Sequence, residues 1–240
     1  MSTRSDWFRA LLRLLFPERC AVCGHELSAG ERTICTLCRV TAPLTGYWRQ
    51  AENPVWERCR NLLPVHRASG FLFFRSSGGW RRLIHGFKYR GAWRTARMMG
   101  EWYGRELRTS GLYDDVDAVV PLPLHPVKRL RRGYNQSEYI AEGIARQLGV
   151  PVERTAVYRK RNTAEQARKS RHERAGNVEN AFAVRHPARL AGRHVLLVDD
   201  VMTTGSTLLS CAEAMLQAAP DCRISIAALA VVHRELGKKE

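Results

Sequence analysis

Residues 195–208 read VLLVDDVMTTGSTL, and this stretch decides the fold class. Its first four residues form a continuous apolar run, which is typical of a strand buried on both faces of a parallel sheet. Two adjacent carboxylates, Asp199 and Asp200, then leave the carboxyl end of that strand, and a loop rich in hydroxyl side chains opens a helix. Ligands of open α/β sheets bind at the carboxyl ends of the strands. The stretch therefore predicts a strand, a ligand-binding loop and a helix in succession.

Strands and helices alternate through most of the remaining chain. Apolar residues from Leu208 to Leu216 recur at the spacing of one helix face, and Gly149 ends an earlier helix that starts near Ser137. Because such alternation favours βαβ crossovers, we predict an α/β fold with an open, mainly parallel sheet flanked by helices. The predicted strands are 70–74, 116–120, 194–198 and 224–232, and the other predicted helices are 80–87 and 93–107.

The loop after the two carboxylates has the chemistry of a phosphate site. Its backbone N–H groups and hydroxyls can surround a phosphate, the amino end of the following helix favours negative charge, and Gly205 allows close backbone approach. The carboxylates would repel a phosphate, so they suit ribose hydroxyls or a divalent cation. The sequence contains no Walker A string, which argues against a P-loop. Helix capping alone explains Thr204 or Ser206 singly, but not the whole string.

The charge of the chain predicts a polyanionic partner. Lys and Arg number 39 against 23 Asp and Glu, which gives a formal net charge of +16. Nucleic acid, a phosphorylated metabolite or an anionic membrane surface would each fit, and a basic surface that serves only solubility is the alternative. No apolar run approaches the ~18–20 residues that cross a bilayer, so we predict no transmembrane segment.

The first residues predict a small module ahead of the main domain. Residues 6–16 read as a basic amphipathic helix that Pro17 stops, with no signal-peptide cleavage site, and we expect a cytoplasmic protein. This helix could lie on a membrane or pack on its own domain. We place the domain boundary near residue 45, with an N-terminal helix and cysteine module at 1–45 and the main domain at 46–240. A polar, Trp-containing connector is expected up to about residue 65.

Four cysteines form two Cys-x-x-Cys pairs, Cys20 with Cys23 and Cys35 with Cys38. This spacing lets four thiolates close a tetrahedral structural Zn²⁺ site with no open position for catalysis. The module is too small for its own apolar core, so the metal would supply its folding energy. Rubredoxin-like iron and four unliganded cysteines are the alternatives.

The stretch that decides the fold resembles the phosphoribosyl pyrophosphate (PRPP) motif of type I phosphoribosyltransferases. The resemblance implies that Asp199 and Asp200 hold the ribose hydroxyls of PRPP, which binds together with Mg²⁺, and that the following loop holds the 5′-phosphate. It implies these PRPP-binding residues: Asp199, Asp200, Val201, Met202, Thr203, Thr204, Gly205, Ser206 and Thr207.

Further segments are similar to one branch, the ComF family of DNA-uptake (competence) proteins. They span about residues 11–233, and one departure is Arg168-Lys169-Ser170, where many members carry Gly-Leu-Ser. The segments are 14–17 with the two cysteine pairs, 87–91, 120–126, 132–137, 163–166 and 174–182. In this superfamily the loop that corresponds to the Pro-rich, basic segment after strand 116–120 contacts pyrophosphate. The resemblance implies contacts from Lys88, Tyr89, Pro123, Arg132, Gly133, Asn135 and Gln136.

Two functions of different classes follow from the resemblance. The first is an enzyme that transfers ribose 5-phosphate from PRPP to an unidentified acceptor and releases pyrophosphate; no catalytic residue stands out. The second is a competence protein that takes part in uptake of single-stranded DNA during natural transformation, with a DNA-uptake helicase or other competence machinery as partner. Phe87, Tyr89 and Trp93 lie among basic residues, where bases could stack. A phosphoribosyltransferase of nucleotide metabolism with no DNA role is the alternative, and a regulator that has lost its ligand is less favoured, because the motif shows no decay.

Overall fold

The fold, taken from a computed structural model, is described for residues 18–74, 77–89, 91–160 and 181–232, without the side chain of Tyr89. The amphipathic helix predicted at 6–16 lies outside these residues. So do the segment 163–166, Arg168, Lys169 and the segment 174–178, to which the family resemblance also extends.

Six strands and seven α-helices are described in these residues. The strands are β1 (Ala68–Phe74), β2 (Ala118–Pro121), β3 (Val157–Arg159), β4 (Phe182–Val184), β5 (His194–Met202) and β6 (Arg223–Val232). The four strands predicted from the sequence correspond to β1, β2, β5 and β6. The helices are α1 (Thr36–Val40), α2 (Pro54–Arg60), α3 (Gly79–Tyr89), α4 (Trp93–Ser110), α5 (Pro126–Arg132), α6 (Gln136–Leu148) and α7 (Ser206–Ala218).

The main sheet has four parallel strands in the order β1-β6-β5-β2, which confirms the predicted α/β class. Pro121, the last residue of β2, pairs with Val198, whereas β5 continues to Met202 and pairs there with Val231 of β6. The expectation that the strand ends before the two carboxylates was therefore wrong. The strand continues because β6 still supplies backbone partners beyond Val198, while its edge on the β2 side lies open. Asp199 and Asp200 lie on this one-sided end.

Helices cover both faces of the sheet. Leu196 and Val198 of β5 face the layer that contains α4 and α6, and the alternate residues Val195 and Leu197 face α7. All four side chains are fully buried, as a parallel strand covered on both faces requires. The strands β3 and β4 form a separate antiparallel pair.

Two segments that we expected to be loops contain helices. The connector after residue 45 includes α2, and its Trp48 is only 1% exposed, because this indole packs against Phe71 in the core. The basic segment after β2 includes α5, where Pro126 occupies the first turn and His125 accepts a hydrogen bond from the backbone N–H of Val127. Proline is well suited to the first turn of a helix, because the backbone N–H that proline lacks would have no intrahelical partner there.

The cysteine-containing segment packs directly on the main domain. Leu44 forms a β-bridge with Leu72 of β1, and Val22 and Ile34 are buried in the same apolar cluster as Phe71. At Gly79, the first residue of α3, an added Cβ would lie 2.2 Å from the carbonyl oxygen of Val22. The domain boundary at residue 45 stays a prediction, and the two parts it separates share one core.

Candidate functional site

The two carboxylates are held by the start of α6. Asp199 accepts a hydrogen bond from the hydroxyl of Ser137 at 2.9 Å, and Asp200 accepts a longer one from the amide of Gln136 at 3.4 Å. Asn135 caps this helix by accepting from the N–H of Ser137, while its own amide donates to the carbonyl of Leu122 just after β2. The ends of β2 and β5 are thereby joined through the first turn of α6.

A lysine from a distant part of the chain completes the cluster. The ammonium of Lys88, near the end of α3, lies 2.9 Å from the carboxylate of Asp200, which is only 4% exposed. The hydroxyl of Tyr134 donates to the carbonyl of Phe87 and ties the end of α3 to the segment before α6. Lys88 and Gln136, both predicted as site residues, are therefore brought together with the predicted acidic pair.

The carboxyl of Asp199 is poised to change its charge near neutral pH. Desolvation and the nearby charge of Asp200 raise its pKa to about 8, against the opposing effects of its hydrogen bonds and of Lys88. Positive charge lowers the pKa of a neighbouring carboxyl, so a cation bound here would favour the ionised form of Asp199. A carboxyl whose pKa is shifted this far by burial and a neighbouring carboxylate is a candidate binding-site residue.

A cavity of about 280 Å³ beside these groups is lined by Lys88, Lys128, Arg131 and Arg132. Desolvation lowers the pKa of Lys128, and the neighbouring cations Arg159, Arg132 and Lys88 lower it further. Bringing several cations together costs free energy unless an anion joins them. The cavity is therefore electrostatically suited to a polyanion.

The loop after β5 leaves the amino end of α7 open. Gly205 precedes the helix with a φ of +83° and has no side chain to cap it, and the hydroxyl of Thr204 accepts a long hydrogen bond of 3.4 Å from the N–H of Ser206. An added Cβ at Gly205 would lie 2.6 Å from the methyl carbon of Met202, the end of a flexible side chain that can move away, so it is the conformation that favours glycine here. The hydroxyls of Thr204 and Ser206 lie 2.7 Å apart at the mouth of this loop. N–H groups at the amino end of a helix, next to hydroxyls, form a suitable cradle for one phosphate.

Two arginines that the sequence analysis missed also lie at the site. Arg58 of α2 donates through Nε to the carbonyl of Thr204 at 2.9 Å. Arg159 of β3 lies near Asp199. Desolvation lowers the pKa of the Arg159 guanidinium, and the negative charge of Asp199 opposes this effect. Neither residue belongs to the motif, and the only sequence signal for them was the general excess of arginine.

The four predicted zinc ligands are also brought together. The sulfur atoms of Cys20, Cys23, Cys35 and Cys38 all lie within 4.8 Å of one another. Burial raises the pKa of the Cys20 thiol, but hydrogen bonds from the backbone of Cys23, Cys35 and Val22 outweigh this and lower it to about 6. Four clustered sulfurs, one of them readily ionised, are a suitable donor set for a structural zinc ion.

Comparison with known proteins decides the family. Residues 135–240 match the family model described as phosphoribosyl transferase domain. The chain is 31% identical over 222 residues to DNA utilization protein YhgH of Escherichia coli (strain K12), covering 85% of this chain and 93% of that protein. It is 39% identical over 93 residues to Competence protein F of Haemophilus influenzae, covering 38% and 41% of the two chains. It is 28% identical over 214 residues to Competence protein ComFC of Bacillus subtilis (strain 168), covering 88% and 83%. The chain belongs to the ComF family.

The other residues that the ComF resemblance implies occupy different positions around the site. Pro123 and Asn135 line a second cavity next to β2, and Gly133 ends α5 with a φ of +82°. Arg132 lines the cationic cavity and donates to the side chain of Gln136 at 3.3 Å. Tyr89 is the last residue of α3, and its side chain lies outside the described part of the chain.

The prediction that bases could stack on Phe87 was wrong. Phe87 is fully buried in the core beneath α3, so no base can reach its ring. Trp93 is half-buried against Tyr139, and the guanidinium carbons of Arg94 and Arg97 lie 4.9 and 5.5 Å from its ring centroid. Phe87 therefore packs α3 onto the core, and Trp93 contacts α6 through Tyr139, while base stacking at Trp93 and Tyr89 stays a prediction.

In the described part of this ComF-family chain, no helix is both long and apolar enough to cross a membrane.

Zinc content tests the cysteine cluster. We expect the ComF-family protein, purified without chelator, to retain about one tightly held zinc per chain, and Cys35→Ser to unfold the cysteine module, because the metal supplies its folding energy. Metal analysis measures the first, and circular dichroism with limited proteolysis measures the second. Zinc near zero in the unaltered protein would contradict the assignment.

Proposed function

We propose that this protein binds Mg²⁺-PRPP at the carboxyl end of β5 and acts in the cytoplasm in the uptake or processing of single-stranded DNA during natural transformation. The observation that carries the PRPP part is the ion pair of Lys88 with Asp200, next to Asp199 and beside the cationic cavity. The competence names of two relatives support the DNA part.

Each part of PRPP has a chemically matched group in this arrangement. The loop 203–207, together with the amino end of α7, would hold the 5′-phosphate. Asp199 and Asp200 would hold the ribose hydroxyls. Lys88, Lys128 and Arg132 would attract the pyrophosphate, and Mg²⁺ travels with it and neutralises part of its charge.

We further propose that the site supports transfer of ribose 5-phosphate. The bond from the ribose C1 to a pyrophosphate oxygen breaks, the pyrophosphate leaves with the electron pair, and the lone pair of an acceptor nucleophile forms the new bond to C1. Positioning and stabilisation of the departing charge would do most of the work, so the absence of an evident general base among the described residues is no obstacle.

Calorimetry with PRPP tests the binding proposal. Titration in the presence of Mg²⁺ should show one site per chain, and omission of Mg²⁺ should weaken the binding. No heat of binding in either titration would contradict the proposal and leave the family assignment intact.

Affinity for Mg²⁺-PRPP is expected to rise between about pH 7 and about pH 9. The pKa of Asp199 is raised to about 8, so this carboxyl is mostly protonated below that pH and ionised above it. The ligand requires the ionised form, and the gain approaches ~tenfold per pH unit on the acidic side. Calorimetry at three pH values measures the effect, and Asp199→Asn should bind weakly with no such rise. A flat profile in the unaltered protein would contradict this role.

A groove next to the PRPP site has the features of a nucleic-acid track. The groove is a cavity of about 310 Å³ between the segment after β2 and the β3–β4 pair, and we call it the hairpin groove. Its basic and aromatic lining residues are Arg129, Arg154, Tyr158, Arg159 and Arg185. The guanidinium carbon of Arg185 lies 5.0 Å from the ring centroid of Tyr158, which is 36% exposed. An exposed ring among cations is suited to base stacking with phosphate attraction.

Single-stranded DNA is expected to bind without sequence preference, more tightly than duplex, and with an affinity that falls steeply with salt. Each neutralised phosphate should contribute about −0.7 to the slope of log affinity against log salt. Arg185→Glu should therefore flatten the slope, while Arg105→Glu, on the exposed side of α4, serves as the matched control. Charge reversal at Arg168 and Lys169, which lie outside the described residues, is expected to act like Arg185→Glu. Fluorescence anisotropy over a salt series measures all of these.

Competition distinguishes this proposal from a phosphoribosyltransferase of nucleotide metabolism with no DNA role. That alternative predicts no DNA binding near physiological salt, and full displacement by PRPP of whatever binds at low salt. Partial or no displacement is expected if the hairpin groove is a second surface. Full displacement would place DNA phosphates in the PRPP site and overturn the two-surface proposal.

A further inference from the structure

Three potential metal ligands converge at the amino edge of the sheet, opposite the edge where the PRPP site is proposed. His66 and Asp115 shortly precede β1 and β2, and His194 is the first residue of β5. One ligand atom from each lies within 4.8 Å of the other two. The proposed function uses none of these residues.

His194 supplies a buried ring nitrogen that faces a carboxylate and could bind a metal ion. Its imidazole is fully buried; Nε2 lies 2.8 Å from the hydroxyl of Ser225, and Nδ1 has no hydrogen-bond partner. Nδ1 nevertheless lies 3.1 Å from a carboxylate oxygen of Asp115. When Nε2 carries the proton and donates to Ser225, the lone pair of Nδ1 faces that carboxylate. Two electron-rich atoms at this separation attract each other only through a shared cation, which is either a proton on Nδ1 or a metal ion that takes the place of that proton.

Both imidazoles are held in the neutral, metal-binding form. Desolvation lowers the pKa of His194 and of His66, and the nearby Arg223 cation lowers both further, against the charge of Asp115 and, for His194, a hydrogen bond with that carboxylate when Nδ1 is protonated. Neutral imidazole is the form that binds metals.

We propose that His66, Asp115 and His194 form a second metal site that takes a late first-row divalent ion such as Zn²⁺. Ligands that each lie ~2.0–2.2 Å from one zinc ion are separated from one another by roughly 3.0–3.6 Å. The observed separations are 3.1 Å between His194 Nδ1 and Asp115 Oδ1, and 4.0 Å between His66 Nε2 and Asp115 Oδ2, so the partly exposed His66 must move closer to Asp115 to complete the site. The side chains of His66 and Asp115 are 34% and 47% exposed, which leaves a water-accessible fourth position.

Arg223 fits this site as an orienting group. Its guanidinium lies 3.2 Å from Asp115 Oδ2, the oxygen that does not face His194. The ion pair thus leaves Oδ1 directed at His194 Nδ1. Metal ligands are commonly held in place by such outer hydrogen bonds, as His194 is by Ser225.

The site would fasten together the starts of three strands. Hydrogen bonds already join this edge of the sheet, since Asp117 Oδ2 accepts from the N–H of His194 and the N–H of His66 donates to the carbonyl of Ile224 in β6. An ion bound only by the folded state adds stability that grows with its free concentration. This role is structural and independent of PRPP and of DNA.

Titration with Zn²⁺ alone tests the proposal on the full-length protein that already carries zinc at its four cysteines. Calorimetry in a non-chelating buffer should show one further ion per chain, and excess Zn²⁺ should raise the melting temperature. Removal of a group that only orients a metal ligand lowers metal affinity by ~10–100-fold. Because His66 is itself a proposed ligand, His66→Ala should lower the affinity for the second ion by at least about a hundredfold. The first zinc should be unaffected. Asp115→Asn provides a second, isosteric variant.

His186→Ala is the matched control, because His186 is an exposed histidine away from this cluster. It should bind the second ion like the unaltered protein. The proposal is overturned if the unaltered protein takes up no further ion, or if His66→Ala and Asp115→Asn both bind Zn²⁺ as the control does. Because His66 is partly exposed, its replacement leaves the fold available for this comparison.

Discussion

Replacing Asp199 and Asp200 together by Asn is expected to reduce the affinity for Mg²⁺-PRPP by at least about a hundredfold. Hydrogen bonds to a charged group contribute ~1.5–3 kcal/mol each, and tenfold in affinity corresponds to ~1.4 kcal/mol. Two carboxylates that lose their charge therefore account for about two to four orders of magnitude. Calorimetry in the presence of Mg²⁺ at about pH 9, where Asp199 is ionised in the unaltered protein, measures the loss.

The fold should survive this change, because asparagine has the shape of aspartate and its oxygen can still accept the hydrogen bonds from Ser137 and Gln136. The double variant also makes the chain more basic, so long-range attraction of a polyanion can only increase. Asp114→Asn with Asp221→Asn is the matched control, since it changes the net charge equally at two exposed positions. Undiminished affinity in the Asp199/Asp200 variant would remove the PRPP assignment.

Features encoded by neighbouring residues could be predicted from the sequence. The apolar run 195–198 must be buried on both faces wherever it lies, and Gly149, with a φ of +76°, ends α6 as expected. The carboxylates and the loop at 203–205 follow the same strand, so a single stretch contained both the fold signal and the site signal. The spacing of the two Cys-x-x-Cys pairs is likewise visible in the sequence, so the cluster of four sulfurs could be predicted.

Features that depend on contacts between distant segments could not be predicted. Arg58 reaches Thr204, 146 positions away, and its local sequence resembles that of any surface helix. Phe87 looks exposed because Arg and Lys surround it in sequence, yet it occupies the inner face of α3. The extension of β5 to Met202 depends on β6 as its partner, which no local pattern reports. A convergence such as that of His66, Asp115 and His194 is equally invisible before the strands are assembled.

Gly143→Ala is expected to destabilise the protein by about 3 kcal/mol, although alanine is the better helix former. The helices α4 and α6 cross with their backbones in contact, and a Cβ on Gly143 would lie 2.3 Å from the carbonyl oxygen of Arg97 and 2.5 Å from the N–H nitrogen of Glu101. Backbone atoms cannot move aside as a flexible side chain can, so the helices must separate. For a chain of this size we expect the melting temperature to fall by about 10 °C, measured by calorimetry or circular dichroism.

Gly86→Ala is the matched control for this crossing. Gly86 is also helical, but nothing lies within 4 Å of an added Cβ there, so alanine should stabilise α3 by ~0.5–1 kcal/mol. Separation of α4 and α6 would also displace the first turn of α6, where Gln136 and Ser137 hold the two carboxylates. Gly143→Ala should therefore weaken Mg²⁺-PRPP binding even at temperatures where the protein is fully folded, and Gly86→Ala should not. Equal melting temperatures for Gly143→Ala and the unaltered protein would mean that the two helices do not meet at this glycine.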